Sequence, residues 1–195
     1  MSELLLNRIE SALPRLRIRR PWLRRWMRRS AVAMVLQLRN GELHILMIKR
    51  AEREGDVWSG HMAFPGGHLD PGDDHGFAAA VRETEEETGL TLGPQDRCLG
   101  RLSDFRARPR RGLGMAVSPF VFLLQREVEF TPNYEVAEVV WVPLDFLLDN
   151  GNREELLWLG RLMGIRLPCY YFGGRCIWGL SLRMLDDLLA VAQRP

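Results

Sequence analysis

The chain has 195 residues, enough for one domain with a sizeable core, and its 46% hydrophobic and 27% charged residues are ordinary for a soluble globular protein. A net charge of +2 argues against bulk nucleic-acid binding, and no stable nucleic-acid partner is expected, although Lys49 is the only lysine and every other cation is an arginine, whose planar fork suits phosphates and carboxylates. Cys98, Cys169 and Cys176 form no CxxC pair, and no apolar run approaches the ~20 residues of a membrane span, so a cytoplasmic protein without a transmembrane segment is expected.

In chain order, residues 1–29 read as a basic N-terminal extension and 30–195 as the main domain. Between 15 and 29 lie eight arginines interleaved with Leu16, Ile18, Trp22, Leu23, Trp26 and Met27. The simpler reading is a short helix whose Trp and Leu side chains pack on the domain with solvated arginines outside. Weak contact with an anionic membrane surface, or with RNA, is the alternative. "AVAMVLQL" and "ELHILMIKR" around Asn40-Gly41 predict a β-hairpin over 31–50. A short strand at 61–64 enters Gly66-Gly67, and a helix is expected from Gly76 to Thr88. "RCLGRLSDF" and "MAVSPFVFLL" read as two strands joined by the basic loop 106–114. "EVAEVVWVPL" reads as another strand, followed by a short helix at 144–149, and 177–192 as an amphipathic helix. These elements make a mixed α/β domain. Both a monomer and a homodimer fit this pattern.

The helix 76–88 holds an arrangement that a solvated surface has little use for. Glu83, Glu86 and Glu87 are spaced i, i+3, i+4 and share one face, while Phe77, Val81, Thr84 and Thr88 mark the face expected to meet the core. Like charges at these spacings repel, and they sit near Gly89, the expected C-cap, where the helix dipole disfavours anions. Immediately before the helix, "FPGGHLDPGDD" carries Gly66-Gly67, which let the backbone approach a ligand closely. A glycine loop facing three carboxylates is a place to hold a divalent cation and a diphosphate, because hard cations take oxygen ligands.

The stretch from Gly67 through "RETEEETGL" (82–90) resembles the Nudix box, Gly-x5-Glu-x7-Arg-Glu-U-x-Glu-Glu-x-Gly-U with U apolar. Thr84 stands at the first apolar position, the spacing from Gly67 to Arg82 is one residue longer than the general pattern, and Asp73 or Asp74 replaces the first glutamate. The resemblance implies the Nudix α/β/α sandwich with a mixed β-sheet and its loop–helix–loop. It also implies hydrolysis of the diphosphate linking a nucleoside to a second group, with Mg²⁺ or Mn²⁺. Carried onto this chain, it makes Glu83, Glu86, Glu87 and the Gly66 carbonyl metal ligands, with Arg82 orienting a glutamate. Glu85 falls at a variable position.

Within that superfamily the chain is most similar to the coenzyme A diphosphatases, whose lengthened box begins like "FPGGHLDPGD" (64–73). Their upstream motif is matched by Leu46, Arg50, Ala51 and Gly60, with Arg53 as the nearest substitute for its second arginine. The resemblance spans about residues 31–190. It implies cleavage of CoA or acyl-CoA to a phosphopantetheine and 3′,5′-ADP, with Arg50, Gly66 and Gly67 on the substrate. Arg108, Arg110 and Arg111 in the loop 106–114 offer forks for the 3′-phosphate. The alternatives are an ADP-ribose, nucleotide-sugar or (d)NTP diphosphatase using the same helix, and a non-catalytic nucleotide- or RNA-binding module. A general base is sought among Glu127, Glu129, Glu135 and Glu138, or in Glu83 itself. His44, His61, His68 and His75 lack zinc-ligand spacing.

Overall fold

The longest strand, β1 (Arg28–Arg39), organises the molecule because both of its faces are covered. Val32, Met34 and Leu36 enter one apolar cluster, and Ala31, Ala33 and Val35 enter another, the two-residue alternation of a strand. The computed structural model, which describes residues 2–55, 58–107, 113–159 and 164–193, sets β2 (Glu42–Arg50) antiparallel to β1. The expected turn joins them: Asn40 and Gly41 both have positive φ, 51° and 82°, as a two-residue hairpin requires.

On the other side of β1 lies β7 (Met115–Leu123), parallel, in register from Arg28↔Met115 to Leu36↔Leu123. Short strands complete the mixed sheet. β3 (Met62–Ala63) pairs with β2, β4 (Gly66–His68) with the start of β1, and β5 (Arg97–Arg101) and β6 (Phe105–Ala107) with β7. β8 (Val136–Pro143) pairs with β2 over His44 to Arg50. The stretch expected as one strand over 97–105 is split: Leu102 N–H still donates to Pro119 O of β7, but Asp104 N–H turns away to Arg19 O.

Helices cover both faces, giving the expected α/β/α layering. On one face, α1 (Ser2–Ala12) buries Leu5, Leu6 and Ile9 in the cluster that also takes Leu185, Leu188 and Val191 of α4 (Gly179–Ala192). On the other face, α2 (Gly76–Thr88) sets Ala79 and Ala80 near Ala31 and Ala33, and these small side chains let helix and sheet approach closely. The buried residues of α2 are therefore Ala79, Ala80, Thr84, Glu87 and Thr88. Phe77, expected to face inward, is 36% exposed and leans on the rings of Phe120 and Phe122 at the flank, with centroids 5.8 and 5.6 Å away.

Two further features differ from expectation. Trp22 and Trp26 do not pack on the domain but are 93% and 56% exposed; Leu5, Leu6, Ile9 and Leu13 make that contact instead. A second sheet of β9 (Arg153–Leu159), β10 (Gly164–Phe172) and β11 (Arg175–Trp178) fills the region between α3 (Leu144–Leu148) and α4. Its β10–β11 turn is Gly173-Gly174, both with positive φ, a hairpin signal present in "YFGGRCI".

Candidate active site

Strand β4 is the floor of the site. Gly66 has φ 149°, and a Cβ there would collide with the carbonyl of Ala31 and the Cα of Val32; a Cβ on Gly67 would occupy the space of the Glu83 carboxylate. Gly66 is thus required for β4 to lie against β1, and Gly67 for α2 to lay its acidic face on β4. Ser30 fixes the strand by donating its hydroxyl to Gly67 O at 2.6 Å.

Glu87 is the most buried of the three carboxylates, at 4% exposure, and accepts the Gly66 N–H at 2.8 Å. Burial pushes its pKa up to about 7, the Gly66 N–H opposes the shift, and the neighbouring charges of Glu83 and Glu135 add to it. Burial likewise raises Glu83, against the pull of Arg82. Glu86 is exposed on the rim.

Arg82 ties this face together. Its Nη2 meets Glu83 Oε1 at 3.0 Å, Asp73 Oδ2 at 3.0 Å and the carbonyl of His68 at 3.1 Å, while Nη1 donates to both oxygens of Glu86 at 3.1 and 3.2 Å. Asp73 therefore takes the first acidic position of the box, and the Arg82 hydrogen bond holds its carboxyl below the usual range; Asp74 is exposed. Glu85 points away and accepts from the Thr91 hydroxyl at 2.7 Å.

Thr84, at a position where an apolar residue is usual, and Thr88, four residues on, are fully buried without an unsatisfied hydroxyl. Each donates back one turn, Thr84 Oγ1 to Ala80 O at 2.7 Å and Thr88 Oγ1 to Thr84 O at 2.6 Å. The helix starts on His75, whose Nδ1 accepts from Ala78 N–H at 3.4 Å. It ends at Gly89 in the left-handed conformation, φ 73°. Beyond the cap, the chain 131–133 completes the helix end: Thr131 N–H donates to Thr88 O at 2.9 Å and Asn133 N–H to Glu87 O at 3.1 Å. Asn133 Oδ1 then accepts the N–H of Glu135 at 2.8 Å.

Of the residues expected at the site, Glu83, Glu87, Gly66, Gly67 and Arg82 come together, with Glu86 beside them on Arg82. Arg50, at the end of β2, is close enough for its charge to oppose the rise in the Glu87 pKa. Arg108, Arg110 and Arg111 lie outside the described residues. Among the base candidates, Glu138 is held by Arg175, with Nε–Oε2 at 2.7 Å, and Glu127 and Glu129 are exposed. Of the four outside the helix, Glu135, paired with Arg53 at 3.2 Å, is the one whose charge, with that of Glu83, bears on Glu87.

The sequence profile of the NUDIX domain family matches residues 27–159. This chain is a Nudix hydrolase. It is 32% identical to an uncharacterized Nudix hydrolase, NudL, of Photorhabdus laumondii over 69% of this chain and 70% of that one. It is 34% identical over 100 residues to the peroxisomal coenzyme A diphosphatase ndx-8 of Caenorhabditis elegans, covering 50% of this chain and 41% of the relative. Among solved structures, the Ap4A hydrolase of C. elegans superposes with a TM-score of 0.52 at 21% identity, over 63% of this chain and 84% of that one. A MutT/nudix family protein of Enterococcus faecalis gives 0.51 at 18%, over 85% and 60%. These two likenesses establish the fold.

The Nudix hydrolase is thus a diphosphatase, acting on phosphoric anhydride bonds, in a family that generally uses divalent cations. Among the described residues, no three carboxylate, imidazole or thiol groups stand in a coordinating cluster, and Arg82 engages both Glu83 and Glu86. The donor set nonetheless suits a hard cation. It is all oxygen, lies against glycine backbone, and includes a buried carboxylate whose neighbours add negative charge. No described helix is long and apolar enough to cross a membrane.

Proposed function

We propose that this Nudix hydrolase cleaves the diphosphate of coenzyme A or acyl-CoA, giving a phosphopantetheine and 3′,5′-ADP. Glu83, Glu86, Glu87 and the carbonyl of Gly66 would hold Mg²⁺ or Mn²⁺. The observation that carries the reading is the acidic face laid on glycine backbone, with the Glu83 carboxylate seated directly on Gly67 and Glu87 held by the Gly66 N–H at 2.8 Å. Similarity to the peroxisomal coenzyme A diphosphatase supports the substrate, as does the stretch 64–73.

The cation would neutralise the diphosphate and acidify the attacking water. The chain's own groups do the rest. The Gly66 N–H holds Glu87 in place, and Arg82 fixes Glu83 and Glu86 while itself anchored on Asp73 and His68 O. Arg50 balances charge beside Glu87. Glu135 is assigned to take the proton of the water at its carboxylate, and Glu135→Gln is expected to lower kcat with little change in KM. Arg108, Arg110 and Arg111 are assigned to the 3′-phosphate.

The deciding experiment compares wild type with the triple alanine variant of Arg108, Arg110 and Arg111 on CoA and on dephospho-CoA, which lacks the 3′-phosphate. Each charge-assisted hydrogen bond removed is worth roughly 1.5–3 kcal/mol. A higher KM for CoA alone is expected. Equal losses on both compounds, or a wild type that ignores CoA and cleaves ADP-ribose, would remove the CoA assignment.

A further inference from the structure

Residues 15–29 carry eight arginines and no acid, whereas the whole chain nets only +2, so the remainder of the molecule is net negative. The positive charge is concentrated in one short, exposed stretch. Seven of these arginines are exposed; Arg24 alone is half-buried. Trp22 and Trp26, 93% and 56% exposed, project from the same stretch. Two large apolar rings left in water beside a dense positive field serve neither packing nor solubility.

The segment is a built platform and not a loose tail. Its turns are closed by Arg24 N–H to Pro21 O at 3.0 Å, Trp26 N–H to Leu23 O at 3.0 Å and Met27 N–H to Arg24 O at 3.1 Å. Met27 is buried. Asp104, whose side chain has no exposure, receives Arg24 Nε at 2.6 Å, the Ser118 hydroxyl at 2.8 Å and Arg101, and its own N–H holds Arg19 O at 3.0 Å. The Ser103 hydroxyl accepts the Arg19 N–H at 3.0 Å. One buried carboxylate thus clamps the arginine turn to the domain, and the two tryptophans are presented outward on rigid backbone.

We propose that this face docks the protein on an anionic phospholipid surface, with Trp22 and Trp26 seated at headgroup depth and the surrounding arginines on lipid phosphates. Amphipathic rings favour that interface, and a juxtaposed basic cluster supplies the long-range attraction. The net negative remainder of the molecule is repelled by the same surface, which fixes the orientation. Single-stranded RNA is the lesser match, because base stacking needs free aromatic faces and the Arg25 guanidinium already lies over the Trp26 ring, 3.6 Å from its centroid.

The test is sedimentation of the full-length protein with vesicles of phosphatidylcholine alone or of phosphatidylcholine with phosphatidylglycerol, at low and high salt. Binding is expected to the anionic vesicles only, and to be lost at high salt. Each arginine at the surface is expected to contribute roughly fivefold to the partition coefficient, so Arg20→Glu with Arg25→Glu should abolish it. Trp22→Ala with Trp26→Ala should weaken it strongly while leaving melting temperature and hydrolysis of a soluble substrate unchanged, which separates docking from folding. Quenching of tryptophan fluorescence by brominated lipid in the wild type, absent in the double Trp variant, is expected too. No affinity for anionic vesicles, equal affinity for both vesicle types, or tighter binding of an RNA oligonucleotide lost in the same variants would overturn the proposal.

Discussion

Glu87 shows how one side chain joins folding to function. Its carboxylate is 4% exposed and accepts the Gly66 N–H at 2.8 Å, but burial dominates and its pKa rises to about 7. A carboxyl raised in the folded state stabilises it only while protonated. That contribution is present below the unfolded value near 4.5 and is lost as pH climbs through about 7. Metal-free protein should therefore lose on the order of 2–3 kcal/mol from this group between those limits. Glu87→Gln, which keeps an acceptor for Gly66, should melt higher than wild type at pH 8 and close to it at pH 4.5, measured calorimetrically with chelator present. The same variant, and Glu86→Gln, should lose activity by on the order of a hundredfold or more, because the acidic face serves charge stabilisation and not packing. Near-normal Mg²⁺-dependent rates in both would contradict the metal-site assignment. The three carboxylates were legible in the sequence from their i, i+3, i+4 spacing, their crowding at the helix end and the glycine loop before them. That Arg82 engages Asp73 and not only its neighbours, and that the charge of Glu135 bears on Glu87, were not, since each depends on contacts 9 and 48 residues away in the chain.

At the scale of elements, α2 and β4 act as one unit. Alanine at Gly67 should displace the Glu83 carboxylate, so Gly67→Ala is expected to cut kcat sharply while the circular dichroism spectrum and melting temperature stay close to wild type. Unchanged kinetics would mean that Glu83 can leave the glycine without consequence. The hairpin of β1 and β2, α2 and α4 were readable because local pattern and tertiary burial agree there. The inward face of α2 was misassigned at Phe77, because the close approach of alanine to alanine across the sheet outranks ring size. The sheet of β9 to β11 is poorly legible in the sequence although Gly173-Gly174 marks its turn. Its strands carry mixed exposed residues such as Leu157, Arg166 and Ile165, with no clean alternation to follow.

For the whole molecule, the N-terminal residues are structural partners of the C-terminal ones. Ile9 is fully buried in the cluster that includes α4, so Ile9→Ala should cost roughly 2–5 kcal/mol by denaturant unfolding. Deleting residues 1–29 should lower solubility and melting temperature together, through the loss of Leu5, Leu6, Ile9 and Leu13 and not of the exposed tryptophans. This is not legible locally, because the partners of Leu5, Leu6 and Ile9 lie at the far end of the chain in α4.

The backbone bonds from Thr131 and Asn133 to the end of α2 also set where this chain tolerates added length. Glu135 follows Asn133 by two residues, so the spacing between the acidic helix and the assigned base is measured out by a strap of five residues. An extra glycine between Thr131 and Glu135 would slip that measure and should depress kcat, whereas one at exposed Glu127, upstream of the strap, should pass with little effect. Length variation among relatives of this enzyme should accordingly gather before residue 130 and stop there.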